Sequence, residues 1–434
     1  LTYEVAPSDA AERVVLVAVG GPLANEDGVQ WSEQTLLEEL HALAVSAGGD
    51  VVGQIAQRRQ APDKRYYIGR GKATELKEEV LATGAELVLF DNDLSPAQGK
   101  NLEDLIGVRV LDRSELILDI FADHARTNEA KLQVELAQLQ YLLPRLRRMW
   151  THLSRIRGGI GLRGPGETQL EVDRRVIRHR IGVLKEKLTH IEERRSLQRK
   201  SRRDAWNVAL VGYTNVGKST IMNRLSGEHL RVEDKVFATL DATTRRIDLD
   251  DDEEVLLTDT VGFIRNLPHH LVASFRATLE EVLHADLLLH VVDVSDPHYA
   301  DQMRVVRDVL VELEAEDAPM IHVFNKFDRV PAGDRASLRA QIVADYPNAV
   351  MASAIESRGL EALTTALTEF LKARKARVIV TLPLNDTRSL ARLHELGDVL
   401  DRRYTDSVVE VELETRPEVV ARIEQSGFQV EEVG

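Results

Sequence analysis

The sequence predicts an α/β multidomain protein with a long helical arm, and three observations carry that prediction. Strand-like apolar runs alternate with helix-like segments over residues 1–125 and again over 204–373. Between those stretches, leucine and isoleucine recur at alternating spacings of four and three. A GxxxxGKS run from Gly212 to Ser219 follows an apolar strand and precedes helix-forming sequence. Alternation of strand and helix implies a parallel sheet covered by helices.

The first domain is assigned to residues 1–128, an N-terminal parallel α/β domain. Val14–Val19, Asp50–Gln57, Glu86–Phe90 and Val108–Leu111 read as strands. Glu33–Ala47, Lys72–Leu81, Pro96–Leu105 and Arg113–Ala122 read as helices. The loop Arg65–Lys72, RYYIGRGK, has the glycine and basic residues of a phosphate site and equally those of a plain turn.

Residues 129–203 form the predicted arm. Leu132, Leu136, Leu139, Leu143, Leu146, Trp150 and Leu153 make one heptad-like seam, and Ile177, Ile181, Leu184, Leu188 and Ile191 a second. Two such seams predict an antiparallel helical hairpin. Pro144 is expected to kink the first helix, which at ~1.5 Å per residue spans roughly 40 Å. Gly158–Thr168 holds five glycines and a proline, and no helix is expected there. A spacer needs only a tight turn, so this tip suggests close approach to another backbone, as in RNA binding. Arg157, Gly158, Gly159, Arg163 and Gly164 are the candidate RNA contacts.

Residues 204–373 are the predicted nucleotide domain, with strands at Val208–Val211, Val255–Asp259, Leu287–Asp293, Met320–Phe324 and Ala349–Ala352. A small C-terminal α/β module is expected over 377–434. Its strands are Val378–Leu382 and Val408–Leu413, its helices Thr387–Arg402 and Pro417–Ser426.

The nucleotide motifs have a chemical logic. Glycine lets a backbone approach phosphate with no Cβ in the way, and successive amides at a helix N-terminus supply partial positive charge. Gly212, Tyr213, Thr214, Asn215, Val216, Gly217, Lys218, Ser219 and Thr220 therefore form a candidate cradle, Lys218 reaching the outer phosphates and Ser219 ligating Mg²⁺. Asp259, Thr260, Val261 and Gly262 end an apolar run, which places Asp259 to hold Mg²⁺ through water and the Gly262 amide to meet the γ-phosphate. Phe237, Ala238, Thr239, Leu240 and Asp241 are the candidate first switch. A Thr239 hydroxyl on Mg²⁺ and amide on the γ-phosphate would exist only with the triphosphate; Thr243 and Thr244 are the alternatives. Asn325, Lys326 and Asp328 follow another strand. A carboxylate there accepts both N1–H and N2–H₂ of guanine, a donor pair adenine lacks, so Asp328 selects GTP. Ser353, Ala354 and Ile355 offer backbone to the guanine oxygen. Lys218, Thr239 and Gly262 are the catalytic candidates. Phe263 stands where many GTPases place a water-orienting glutamine. It cannot orient water, so slow unaided hydrolysis is expected; it also reads as a packing residue.

Composition narrows the partners. The 434 residues contain no cysteine, which excludes disulfides, thiol catalysis and thiolate metal sites. No apolar run approaches a membrane span, and the N-terminal LTYEVAPSDA has no secretion-signal layout. A cytoplasmic protein with no integral membrane association and no DNA partner is expected. Net charge is −15, but residues 144–203 carry 18 Lys+Arg against 6 Asp+Glu, a local +12. That asymmetry predicts one surface that meets phosphate backbone.

These motifs, GYTNVGKST, FATLD, DTVGF and NKFD, together with RGPGETQLEVDRR at Arg163–Arg175, resemble the HflX family of ribosome-associated GTPases. Leu94–Glu103 (LSPAQGKNLE) and Lys131–Leu146 (KLQVELAQLQYLLPRL) resemble its N-terminal part. The resemblance implies GTP-dependent binding to the large ribosomal subunit and splitting of stalled or idle ribosomes, especially in stress. It implies a hairpin tip, here Gly158–Thr168, that reaches ribosomal RNA near the peptidyl-transferase region. It places a hydrophobic residue where the glutamine would be, matching Phe263, and likens Asn215 to an asparagine that holds an activating K⁺. Some members use ATP through the N-terminal domain, for which residues 1–125 show no second phosphate loop. A GTPase switch in ribosome assembly, or one signalling to a protein partner, is the alternative reading.

Overall fold

The computed structural model describes residues 11–21, 31–149, 165–201, 205–227, 236–249, 254–267, 279–384, 387–405, 407–426 and 428–433. At the N-terminal end, β1 (Arg13–Gly20), α1 (Glu33–Ser46), β2 (Asp50–Arg58), α2 (Arg70–Thr83), β3 (Leu87–Phe90), α3 (Pro96–Ile106), β4 (Arg109–Leu111) and α4 (Arg113–His124) alternate. The strands pair in parallel in the order β2-β1-β3-β4. Central β1 feeds two cores, because successive side chains of a strand face opposite ways. Val14, Leu16 and Ala18 pack with Leu36 and Leu40 of α1 and Phe121 of α4. Val15, Val17 and Val19 pack with Leu76 of α2 and Leu102 of α3. Local signals start and stop the helices. Ser95 and Gln98 form a reciprocal capping box with Pro96 in the first turn, and Gly107 ends α3 in the left-handed region. The Arg65–Lys72 segment is a closed turn. Asp63 accepts from the Arg65 and Tyr66 amides, Gln57 from the Gly69 amide, and α2 begins at Arg70.

The arm consists of α5 (Asn128–Met149) and α6 (Pro165–Ser201), packed antiparallel. Leu136 and Leu184 are buried on the expected seams. Arg180 forks onto Glu135 at 2.6 and 2.8 Å, and Arg195 reaches Glu129 at 2.9 Å. Pro144 stands inside α5, which runs on to Met149. One expectation is corrected. The second helix begins at Pro165, inside the Gly158–Thr168 segment where no helix was expected, because proline suits a first turn whose N–H has no intrahelical acceptor. Arg157, Gly158, Gly159, Arg163 and Gly164 lie outside the described residues, as do Trp150 and Leu153. The sequence reading also missed a second apolar stripe on α5. Ala130, Val134, Ala137 and Tyr141 join the core that contains α4.

The larger sheet is built from β5 (Trp206–Gly212), β6 (Thr243–Asp248), β7 (Glu254–Asp259), β8 (Leu287–Asp293), β9 (Met320–Asn325) and β10 (Val350–Met351), in the order β10-β9-β8-β5-β7-β6. Helices α7 (Lys218–Ser226), α8 (Tyr299–Glu312), α9 (Arg335–Asp345) and α10 (Leu360–Lys372) connect or flank these strands. All pairs are parallel except β6 with β7. β6 was not anticipated, because TTRRID is a polar edge strand with no apolar run. His290 is buried on β8, with its Nδ1 3.2 Å from Nδ1 of His322. The C-terminal sheet of β11 (Ala376–Pro383), β12 (Asp398–Tyr404), β13 (Val408–Thr415) and β14 (Gln429–Glu432) is antiparallel, in the order β12-β13-β11-β14. Its helices are α11 (Thr387–Leu396) and α12 (Pro417–Gln425). The expected helix Thr387–Arg402 is therefore too long. It stops before Gly397, where a Cβ would lie 2.6 Å from the Glu414 carbonyl oxygen, and the chain turns into β12.

Candidate nucleotide site

The carboxyl ends of β5, β7 and β9 bring the sequence motifs to one edge of the larger sheet, where open α/β sheets place their ligands. The loop after β5 can be built only with glycine at two positions. Gly212 has φ 153° and a Cβ there would lie 2.3 Å from the Val291 carbonyl oxygen; Gly217 has φ 97° and a Cβ there would lie 2.4 Å from Asn325 Nδ2. The loop borders a cavity of about 320 Å³. Thr214, Asn215, Gly217, Lys218, Ser219, Thr220, Phe237, Ala238, Thr239, Thr260, Gly262, Lys326 and Ile355 line it, joined by Arg329, which sequence reading had not singled out. Tyr213, Val216, Leu240 and Val261 are buried around it.

At the phosphate end, Lys218 Nζ donates to the carbonyls of Gly212 at 3.2 Å and Tyr213 at 2.9 Å. Burial pulls its pKa down to about 8, with Asp259 acting the other way. Asp259 is pushed above the usual carboxylate range by burial, against the pull of Lys218 and of hydrogen bonds from Ser219 and Thr239. Ser219 Oγ donates to Asp259 Oδ2 at 2.6 Å, Thr239 Oγ1 lies 3.1 Å from the same oxygen, and the two hydroxyls are 2.9 Å apart. Among the described residues, Asp259 Oδ1 is buried with no hydrogen-bond partner. Hard oxygens converging beside an unsatisfied carboxylate oxygen are a donor set that suits Mg²⁺. Thr243 and Thr244 lie instead on β6, where Thr244 Oγ1 meets Thr258 Oγ1 at 3.0 Å.

Gly262 approaches the loop closely; a Cβ there would lie 2.8 Å from Thr214 Cα and 3.1 Å from Lys218 Nζ. The next residue is pinned. The Phe263 amide donates to the Gly212 carbonyl at 3.1 Å, the Thr214 amide donates to the Phe263 carbonyl at 2.8 Å, and the ring is fully buried. Phe263 thus presents neither an acid nor a base to the cavity.

At the far end, Asn325 ties two loops together. Its Nδ2 donates to the Val216 carbonyl at 2.8 Å and its Oδ1 accepts from the Ala354 amide at 3.0 Å. Lys326 Nζ donates to the Asn215 carbonyl at 2.8 Å and pairs with Asp293 at 2.7 Å. Asp328 sits in the 3-10 turn Phe327–Arg329, and its carbonyl accepts from Arg335 at 2.7 Å. Ser353 begins a closed turn, its amide donating to the Arg358 carbonyl at 2.9 Å.

The structure adds contacts that sequence reading missed. Arg265, just past Phe263, enters a buried cluster with Glu39, Asp91 and Arg113 of the N-terminal sheet and its helices. Arg265 lies 2.6 Å from Glu39 and 2.7 Å from Asp91; Arg113 lies 2.6 and 2.8 Å from the same two. Burial opposes the Arg265 charge, but Asp91 and Glu39 outweigh it and hold the pKa above its ordinary value. The Tyr213 hydroxyl donates to Glu39 and accepts from the Arg265 amide. Phe237 packs edge-on against Phe121, ring centroids 4.7 Å apart. The Asp241 carboxylate is turned to the start of α5, accepting from the Arg126 and Thr127 amides at 3.2 and 3.1 Å and from the Thr127 hydroxyl. No local pattern could have disclosed the partners that the nucleotide domain finds in residues 39–127, such as Tyr213 with Glu39, Arg265 with Asp91 and Asp241 with Thr127, each more than 100 residues away in the chain.

Residues 34–122 match the family described as GTP-binding GTPase N-terminal, 124–202 the GTP-binding GTPase middle region, and 207–326 the 50S ribosome-binding GTPase family. The chain is 45% identical over 414 residues to GTPase HflX of Escherichia coli (strain K12), covering 95% of each protein. It is 45% identical over 417 residues to GTPase HflX of Caldanaerobacter subterraneus, covering 95% of this chain and 93% of that protein. Among solved structures, a GTP-binding protein of Sulfolobus solfataricus in complex with GDP aligns at 24% identity with a TM-score of 0.43, over 82% of this chain and 98% of that one. By length and identity of match, the chain belongs to the HflX family and is a GTP-binding GTPase.

Proposed function

We propose that this GTPase acts on the large ribosomal subunit in the cytoplasm, splitting stalled or idle ribosomes under stress, with the arm tip Gly158–Thr168 reaching ribosomal RNA near the peptidyl-transferase region. The match of residues 207–326 to a 50S ribosome-binding GTPase family carries the ribosomal half of this reading. The +12 charge of residues 144–203 on a chain of net −15 supports it. The proposed division of labour follows the domains: 1–128 and 129–203 present the arm, 204–373 holds nucleotide, and 377–434 is an appended module. Among the described residues no helix is long and apolar enough to cross a membrane.

In this reading Lys218 and the Gly212–Thr220 amides bind the outer phosphates, and the Gly262 and Thr239 amides meet the γ-phosphate. Ser219 and Thr239 would hold Mg²⁺ directly and Asp259 through water. Bound Mg²⁺ supplies charge neutralisation between the β- and γ-phosphates. Asp328 takes the guanine N–H groups, and the Ser353–Ile355 backbone faces the guanine oxygen. Phosphate charge keeps Lys218 protonated despite its lowered pKa. Because Phe263 cannot orient water, activation comes from the ribosomal partner, aided by K⁺ held at Asn215. The test is GTP hydrolysis with and without purified large subunits. Stimulation of about tenfold or more is expected, a barrier change of roughly 1.4 kcal/mol; equal rates would remove partner activation from the account.

A further inference from the structure

We infer that Arg224 is a positioning residue for guanine recognition, gripping the base loop from the far end of the helix that follows the phosphate loop. The inference rests on the base-pocket reading given above. Arg224 lies in the last turn of α7, six residues after Lys218. Its Nε donates to the Ala354 carbonyl at 3.0 Å and its Nη2 to the Ile355 carbonyl at 3.2 Å. Two donors of one planar guanidinium thus take two successive carbonyls, a fork that a lysine ammonium cannot reproduce. A peptide unit is planar and trans, so fixing a carbonyl fixes the N–H on the opposite side of the same plane. Arg224 therefore orients the Ile355 amide, and it shares the Ile355–Glu356 peptide plane with Ser353 Oγ, which accepts from the Glu356 amide.

The remaining restraints on this loop come from other directions. Asn325 accepts from the Ala354 amide, and the Ser353–Arg358 pair and Ser353 Oγ close the turn, the latter accepting from the Glu356 amide at 3.2 Å. These restraints leave the Ala354 and Ile355 carbonyls to Arg224. Ile355 is 60% exposed and lines the cavity. The Ser353–Ile355 backbone would contact the guanine 6-oxygen, so loosening it should cost 6-oxo recognition and leave the phosphates alone. The same fork links the helix that begins at the phosphates to the loop that reads the base. A charge that merely complemented the end of α7 would need no fork, and lysine would serve equally well.

The experiment compares wild type, Arg224→Ala and Arg224→Lys for binding of GTP, of GDP and of 2-aminopurine riboside triphosphate, which lacks the 6-oxygen. Arg224→Ala should weaken GTP and GDP by roughly tenfold and lower the preference for GTP over the analogue by the same factor, raising KM with kcat unchanged. Arg224→Lys should recover only part of that loss. Unchanged GTP affinity, an equal loss for both triphosphates, or full rescue by lysine would each overturn the inference. Nucleotide-free unfolding midpoints are measured alongside; if Arg224→Ala does not fold, the discrimination ratio of Arg224→Lys decides. Asp328→Asn separates the two levels. Failure of that variant to move from GTP to xanthosine triphosphate overturns the pocket reading itself, whereas its success with an unaffected Arg224→Ala overturns only the role of Arg224.

Discussion

Lys218→Met should destroy nucleotide binding and yet stabilise the nucleotide-free protein. In the free site the ammonium is buried against two carbonyls, and burial lowers its pKa from 10.5 to about 8. At about 1.4 kcal/mol per pKa unit, a difference of that size corresponds to about 3 kcal/mol against the folded state when lysine is charged. The sign follows from proton counts. Between pH 8 and 10.5 the unfolded chain binds the extra proton, so wild-type stability rises with pH through that window and the penalty is complete below it. Methionine removes the penalty but leaves the Tyr213 carbonyl without its donor and Asp259 without a cation, each costing roughly 1 kcal/mol. The Gly212 carbonyl keeps the Phe263 amide. A net gain of about 1 kcal/mol at pH 7 raises the unfolding midpoint of a domain this size by roughly 2–4 °C. Calorimetry without nucleotide at pH 7 and pH 9 should show that gain shrinking as pH rises. With GTP at about a hundred times its Kd, wild type gains roughly 2.7 kcal/mol and the order reverses. A variant less stable than wild type at pH 7 without nucleotide, or a gain that grows with pH, would refute this reasoning.

Other expectations follow from single sites. Asp328→Asn should lose GTP and gain xanthosine triphosphate in competition binding, since the amide pairs with the xanthine carbonyl; retention of wild-type GTP affinity would refute the base assignment. Hydrolysis should be faster in K⁺ than in Na⁺ through Asn215, and equal rates would remove the potassium part alone. The Tyr141 hydroxyl lies 2.9 Å from Asp112 Oδ1 and 3.1 Å from Glu115 Oε2, one proton for two acceptors. Burial, then the neighbouring Asp112, pushes the Glu115 pKa up to about 7. Its contribution is therefore whole below the unfolded value of 4.5 and is lost as pH rises through 7. Glu115→Gln should unfold at the wild-type midpoint at pH 4.5 and be more stable by up to about 3 kcal/mol at pH 8; an equal pH profile for both proteins would show that Glu115 does not hold that proton.

The parts of the site legible in sequence are those whose chemistry is local. Gly212 and Gly217 occupy positions that only glycine tolerates, and Lys218 and Ser219 follow within two residues, so one short run announces a strand, a turn and a helix N-terminus. The choice among Thr239, Thr243 and Thr244 needed the fold, because an antiparallel edge strand carries the last two away. Edge strands were the weak point throughout. β6 and β12 are rich in charge, and β12 read as a continuation of α11 because the helical pattern persists past Gly397. The buried charges were invisible for a different reason. Arg113 and Arg265 look like surface residues in sequence; the fold of the N-terminal domain pairs Arg113 with Asp91 and Glu39, and only the docking of that domain against the loop after Phe263 brings Arg265 to the same two carboxylates. The second stripe of α5 was masked by the stronger leucine seam beside it.

GTP is expected to license this chain to act on ribosomes through its basic arm. The most direct measurement is light scattering of intact ribosomes mixed with wild type and with a variant in which Gly158–Thr168 is shortened to a tight turn, each loaded with GTP and with GDP. Wild type should show a GTP-dependent fall in scattering and no fall with GDP, and the shortened arm little or none, while both proteins bind GTP equally. Splitting by the shortened arm at the wild-type rate, or splitting with GDP as fast as with GTP, would contradict it.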